Sequence, residues 1–244
     1  MRKISFAFLI AVCSFFNTAL LKAQKIISFT AKDGLNVTAD LYFISDTLPY
    51  MILCHQGGSS RGEYNETAPK FTKFRYNCIA VDSRSGDKIN EVKNETVLAA
   101  KTQSKKTTYL DAEQDIVAAI DYAFEKSHKK VIVVGSSYTA SLALKIGVAN
   151  DNVKAVIAFS PAEYFGAQLN LKDAIKQFDK PVFISSSQDE AGTAGILFNS
   201  MKSEKKQQFI PAEKGVHGSK ALWKVNPGYR EYWQAMTIFM QKVK

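Results

Sequence analysis

This sequence of 244 residues predicts an α/β chain: a mainly parallel sheet with helices on both faces and an antiparallel hairpin at its N-terminal edge. Three observations predict it. The runs "PYMILCH", "KKVIVVG" and "VKAVIAFS" are continuously apolar rather than alternating, and strands buried on both faces belong to parallel sheets. Between the strands lie stretches of helical period, of which "YLDAEQDIVAAIDYAFEKS" is the longest. Ahead of them, "KIISFTA" and "LNVTADLYFI" alternate across "KDG", which reads as a hairpin turn.

The remaining elements follow in order. "EYNETAPKFTKF" predicts a helix, "NCIAVD" a strand and "SRSGDKIN" a loop. After the long helix come strand–helix pairs: "KKVIVVG" with "SYTASLALKIGVA", "VKAVIAFS" with "LKDAIKQF", and "KPVFISSS" with "AGTAGILFNSM". "KQQFIPA" is the last strand and "YREYWQAMTIFMQKV" a closing helix. A hydrophobic fraction of 46% suffices for a sizeable core. With no repeat, low-complexity tract or Pro/Gly/Ser-rich linker, one domain over residues 24–244 is the simplest account.

Residues 1–23 read as a secretory signal peptide: Arg2 and Lys3, an apolar run, then Ala23 before Gln24. Cys13 raises a lipoprotein reading, but Val12 before it fits poorly and the apolar run continues past it. Asn17 and Lys22 break that run short of a membrane span. The expectation is export, to the periplasm or outside the cell, with no stable membrane insertion after cleavage. The segment carries Arg2, Lys3 and Lys22 and no acid, so the formal charge falls from +9 to +6. The densest basic stretches, "KSEKKQQ" and "KTQSKKTT", have no interleaved aromatics, which argues against a nucleic-acid partner.

Cys54 and Cys78 remain in the mature chain. Both lie in apolar strands, so buried free thiols are expected; a disulfide requires those strands to be neighbours. Asn36, Asn65 and Asn94 form Asn-x-Thr sequons, which matter only in a glycosylating host.

The chemistry centres on "VIVVGSSYTASLALKIG", residues 131–147. A strand passes into a helix over Gly135, Ser136, Ser137, Tyr138 and Thr139, a sharp turn suited to a nucleophile, with two serines competing. Serine needs a base to take its proton, and the chain has three histidines. His128 precedes a strand and falls at the amino edge of the sheet, away from the carboxyl ends where such sheets gather function. His55 ends a strand but opens "HQGGSS", a loop suited to shaping backbone. His217, in "EKGVHGSKALW", follows the last strand and is the candidate base. The acid that orients it should follow "PVFISSS". Asp189 is preferred there, because Glu190 is expected to open the next helix.

The order Ser, Asp, His is that of α/β-hydrolases. Across essentially all of the mature chain, the sequence resembles that superfamily. "HQGGSSRGEY", "IAVDSRSG" and "LDAEQDIVAAIDY" before "VGSSYTAS" resemble its dienelactone hydrolase-like group of bacterial hydrolases. The resemblance implies the α/β-hydrolase fold. Its Gly-x-Ser-x-Gly elbow maps onto Gly135 and makes Ser137 the nucleophile, with Thr139 in place of the last glycine. That glycine lets helix and strand approach closely, so Thr139 removes no reacting group. Dienelactone hydrolases proper use a cysteine nucleophile, so a serine sets their particular substrate aside.

The resemblance further implies an oxyanion hole from the backbone N–H of Tyr138 and that of Gly57 or Gln56. His55, Tyr64 and Tyr164 are candidate substrate-lining residues; Arg84 and Glu63 sit in loops at the same edge, where they either pair with each other, the preferred reading, or touch substrate. There is no HExxH, CxxC pair, acidic metal cluster, P-loop or dinucleotide fingerprint, so no cofactor or metal is expected. The expected activity is hydrolysis of a small-molecule carboxylic ester or related acyl compound through an acyl-enzyme. A peptidase or acyltransferase with the same triad, or a non-catalytic binding protein of the same fold, are the alternatives. About ten residues separate "VKAVIAFS" from "LKDAIKQF", too few for a large lid, although "KINEVKNETVLAAKTQSKKT" could cover the site instead.

Overall fold

The computed structural model describes residues 24–243, so the signal-peptide reading falls outside the described residues. Among the described residues there are ten strands: β1 (Lys25–Thr30), β2 (Asn36–Tyr42), β3 (Tyr50–Cys54), β4 (Asn77–Val81), β5 (Lys88–Ile89), β6 (Val92–Lys93), β7 (Val131–Ser136), β8 (Val153–Phe159), β9 (Val182–Ser185) and β10 (Lys206–Phe209). The helices are α1 (Ala68–Phe71), α2 (Glu95–Thr102), α3 (Glu113–Ser127), α4 (Tyr138–Ala149), α5 (Leu171–Ala174), α6 (Ala191–Ser200) and α7 (Tyr229–Lys242). Eight strands form one sheet in the order β1-β2-β4-β3-β7-β8-β9-β10. In this sheet β1 pairs antiparallel with β2, and β2 antiparallel with β4, while every other pairing is parallel; β5 and β6 form a separate antiparallel pair. The expected mainly parallel sheet with an N-terminal antiparallel hairpin is the observed one.

The continuous apolar runs divide by the strand period of two. Along β3, Ile52 and Cys54 join one core with α3, α4 and α6, whereas Met51 and Leu53 join the other with α1 and α7. α3 presents Ile116, Ala119, Ile120 and Ala123 to the first core, the spacing of one helical face. α7 presents Tyr232, Met236, Phe239 and Met240 to the second. The same alternation puts the two thiols on opposite faces, Cys54 in the first core and Cys78 in the second. Although β3 and β4 are neighbours, Cys78 stands opposite Met51 and Cys54 opposite Val81, and both cysteines are free and buried.

Three segments depart from the sequence reading. "EYNETAPKFTKF" is not one helix: a 3-10 turn at Arg61–Tyr64 is followed by the short α1 and a second 3-10 turn at Thr72–Phe74. Arg61 is drawn inward to Asp40 and Asp82, and Pro69 removes a backbone donor. "LKDAIKQF" makes only the one turn of α5, because Ile175 and Phe178 bury in the core instead of continuing it. "KINEVKNETVLAAKTQSKKT" folds as the β5–β6 hairpin and α2; the Asn94 side chain caps α2 by accepting from the Val97 N–H. α2 packs on β2, so this segment does not form a lid.

The chain runs from β3 to β4 on one side and then returns to β7 on the other, so the topology switches between β3 and β7. In open α/β sheets such a switch point, at the carboxyl ends of the strands, is where ligands bind. The loops there rest on two buried ion-pair clusters. Arg84 meets both oxygens of Asp115 and reaches Asp33 at 2.7 Å, and it does not pair with Glu63. Arg61 bridges Asp40 at 3.1 Å and Asp82 at 2.5 Å, joining β2 to the end of β4. Removing one partner of a buried pair strands the other charge. Asp115→Ala should therefore cost about 3–5 kcal/mol in urea unfolding; a loss below about 1 kcal/mol would show that the Arg84 cluster is not holding this edge.

Candidate active site

β7 ends at Ser136 and α4 begins at Tyr138, which leaves Ser137 alone to turn the chain. Its φ is 61° and its ψ −124°, a combination that residues with a side chain rarely adopt. The strain is of order 1–3 kcal/mol and persists only where the surroundings over-determine it. They do so here. The Ser137 N–H donates to Phe159 O at 2.8 Å. At Gly135 a β-carbon would come within 2.5 Å of the Ala140 backbone, so only glycine lets strand and helix approach this closely.

Thr139, in the place where the α/β-hydrolase elbow has glycine, is fully buried. Its hydroxyl accepts from the Ser136 N–H at 2.9 Å and lies 2.9 Å from Cys54 O and 3.1 Å from His55 O. It thus ties the elbow to the end of β3, where the HQGG loop begins.

The two serines separate cleanly. Ser136 is fully buried and its Oγ accepts from the Ser219 N–H at 2.8 Å. Ser137 retains some exposure, and its hydroxyl lies against the Tyr164 phenol. The Ser136–Ser219 bond also draws the loop that carries His217 onto the elbow.

His217 Nδ1 is hydrogen-bonded to Glu190 Oε1, which leaves Nε2 as the free ring nitrogen. Glu190 therefore stands where Asp189 was expected. Asp189 is exposed beyond the end of β9, and its carboxylate does not reach His217. The preference for Asp189 assumed that Glu190 would be spent on opening the helix. Glu190 is indeed the N-cap of α6 but makes no capping bond with its side chain, which points back to the sheet edge. Its Oε2 accepts from Ser160 Oγ at 2.6 Å and from the Ser187 N–H at 3.1 Å. Burial opposes the charge, but the hydrogen bonds from His217, Ser160 and Ser187 outweigh it and bring the carboxyl down to about 2. A depressed carboxyl contributes stability that is present above its ordinary range and lost as the pH falls toward 2.

The other sequence-predicted residues sort by burial. His55 is fully buried; its Nε2 accepts from the Ser83 N–H at 3.0 Å and its Nδ1 contacts Gln56 O at 2.7 Å. Both nitrogens are occupied, so His55 neither lines the site nor acts as a base. Tyr64 is fully buried, its hydroxyl donating to Cys54 O at 2.8 Å, so it too is a packing residue. His128 caps the C-terminal end of α3 at the far edge. Tyr164 is half-buried beside Ser137.

On the HQGG loop, the Gln56 N–H donates to Glu63 Oε2 at 3.1 Å and is unavailable to an oxyanion. Gly57 and Tyr138 remain as the candidate donors, Tyr138 standing at the start of α4, where the first N–H groups lack helical partners. Glu63, fully buried, also accepts from Ser219 Oγ at 2.6 Å, so it links this loop to the His217 loop. Tyr109 stacks on Tyr138 at 4.2 Å with its hydroxyl above Gly57, where a β-carbon would come within 2.6 Å of it. Tyr109 and Ser160 carried no sequence signal for these places, because long-range contacts put them there; Glu63 was placed at this edge, but its partners are Gln56 and Ser219 rather than Arg84. Among the described residues no cluster of His, Cys, Asp or Glu could hold a metal ion, and no helix is long and apolar enough to cross a membrane.

Comparison with known proteins agrees with this architecture. The model of the dienelactone hydrolase family matches residues 49–213. No curated protein matches the sequence. Among solved structures, an esterase of Pyrococcus furiosus is similar at a TM-score of 0.68 and 15% identity, over 90% of this chain and 92% of that one. A dienelactone hydrolase from Anabaena variabilis reaches 0.66 at 12% identity, over 90% and 97% of the two chains. An acylaminoacyl peptidase of Pyrococcus horikoshii reaches 0.65 at 16% identity, over 91% of this chain and 42% of that one.

The Thr139 tie has a measurable consequence. Thr139→Val keeps the shape but leaves the buried Ser136 N–H without its acceptor, at a cost of about 1–3 kcal/mol. Thr139→Ser should restore most of that stability in chemical denaturation. If the valine and serine variants unfold alike, the hydroxyl is not what holds the elbow.

Proposed function

Since this chain belongs to the dienelactone hydrolase family and is a carboxylesterase-like hydrolase, we propose that it cleaves small carboxylic esters or related acyl compounds through Ser137, His217 and Glu190. The observation that carries the reading is the strained backbone of Ser137, at the carboxyl end of β7 beside the topological switch point.

In this mechanism His217 Nε2 takes the Ser137 proton as Oγ attacks the ester carbonyl. Glu190 holds Nδ1 and stabilises the imidazolium that forms, remaining ionised itself. The tetrahedral oxygen turns toward the N–H groups of Tyr138 and Gly57, donors set before the charge develops. His217 then protonates the departing alkoxide. Water enters, gives a proton to His217 and attacks the acyl-enzyme; collapse releases the acid and returns the proton to Ser137. The link between β8 and α5 holds only a 3-10 turn, Gly166–Gln168, and no inserted lid. An open site of this kind suits small or soluble substrates. The Arg2–Ala23 pattern supports export as the setting.

The test is labelling by a fluorophosphonate, with peptide mass spectrometry, alongside initial rates on a short-chain aryl ester and an aminoacyl amide. Ser137→Ala should lose the label, and its rate should fall by at least about 10⁴-fold. Ser136→Ala should keep the label and stay within about tenfold of the parent, since its hydroxyl serves only the Ser219 N–H. A label on Ser136 would refute the assignment. Faster turnover of the amide than of the ester would move the activity to a peptidase.

A further inference from the structure

β8 ends at Phe159, and the next residue, Ser160, is 2% exposed and has a φ of 54°. Its backbone N–H donates to Ser185 O at 2.6 Å, which ties it to the end of β9. Each of its polar atoms then reaches a different part of the site. Its Oγ donates to Glu190 Oε2 at 2.6 Å and accepts from the Gly218 N–H at 2.9 Å, immediately after His217. Its carbonyl accepts from the Tyr164 hydroxyl at 2.9 Å, and that phenol lies against Ser137.

The geometry follows from what each bond removes. Glu190 has two oxygens and one histidine to hold. The Ser160 hydroxyl, at 2.6 Å, and the Ser187 N–H, at 3.1 Å, occupy Oε2, so Oε1 is the oxygen that faces Nδ1. Without that hydroxyl, only the longer bond from the Ser187 N–H, at 3.1 Å, would oppose rotation of the carboxylate about its last bond, and the imidazole would follow it. The Gly218 bond fixes the backbone on which that imidazole stands. A single hydroxyl, used once as donor and once as acceptor, thereby sets both ends of the Glu190–His217 pair. The left-handed backbone of Ser160 is what turns its side chain to this position, and such conformations in residues other than glycine cost energy that the surroundings must offset.

We propose that Ser160 is a positioning residue of this site: its hydroxyl locks the Glu190 carboxylate and the His217 loop in register with Ser137. The proposal rests on the Ser137–His217–Glu190 reading, and it assigns a role to a residue that touches neither the nucleophile nor the scissile bond.

Ser160→Ala removes the hydroxyl and leaves the backbone strain unchanged. Ser160→Gly removes the hydroxyl and relieves the strain. The measurements are kcat and KM on p-nitrophenyl acetate, normalised to the folded fraction, and the far-downfield proton resonance of an imidazole bonded to a carboxylate. His217→Ala run in parallel identifies that resonance and tests the triad itself. Both Ser160 variants should lose between about 10- and 100-fold in kcat, the scale of a small misplacement of a catalytic group, with KM within about twofold. Both should lose or broaden the His217 resonance, and the glycine variant should be the more stable of the two. If either folded variant keeps kcat within about twofold and the resonance intact, the positioning role is wrong. If Ser160→Gly alone recovers full turnover, the residue matters only for its backbone, and the proposal is equally overturned. If His217→Ala itself retains turnover, the triad reading has failed; the effect of Ser160 on the resonance still tests whether it holds the Glu190–His217 pair.

Discussion

The turn at Ser137 is the constraint on which the site depends. One residue must take the chain from a fully buried strand into a largely buried helix, and it does so at a φ of 61°. Nothing in the residue itself favours that geometry. It is imposed by Gly135, which lets α4 sit against β7, by the Phe159 carbonyl, which accepts the Ser137 N–H, and by Thr139, which pins the elbow to the end of β3. The result is a hydroxyl presented at the sheet edge beside the first N–H of a helix. Thr139, a departure from the glycine of the resembled motif, strengthens this arrangement by exchanging a featureless contact for a set of hydrogen bonds.

Around the elbow, three loops from distant parts of the chain are joined by side chains outside the proposed triad. Ser136 holds the Ser219 N–H, Glu63 spans Gln56 and Ser219, and Ser160 spans Glu190 and Gly218. These are polar groups buried among hydrophobic strands, and each is hydrogen-bonded, as burial demands. Precision at a catalytic centre comes from such supports, since loops alone place side chains less exactly than the half-ångström scale that chemistry requires.

Much of the fold was legible in the sequence because its signals are local. Continuous apolar strands, a 3.6-residue period and the "KDG" turn each act within a few residues, and all eight strands of the main sheet stand where those signals put them. Pro69 and the inward pull on Arg61 broke a helix that composition alone suggested. At the site, the strand-to-helix serine and the histidine after the last strand were legible, because topology delivers both to one edge. The acid was not. Asp189 and Glu190 are adjacent, and which of them turns inward depends on Ser160, some thirty residues earlier in the chain, and on the Ser187 N–H. Likewise Tyr64 and His55 carry polar atoms that suggested contact with substrate, but the partners that bury them lie on β3 and in the loop after β4.

That choice of acid is the most direct test of the account. The measurement is kcat/KM on a short-chain aryl ester for Glu190→Gln and Asp189→Asn, side by side. Glu190 carries the hydrogen bond to His217, whereas Asp189 faces solvent. Glu190→Gln should fall by about 10³–10⁴-fold, as when an orienting carboxylate is lost from such a triad. Asp189→Asn should remain within about twofold of the parent, as for an exposed side chain outside the site. The reverse ranking would contradict the account and restore Asp189 as the residue that holds the base.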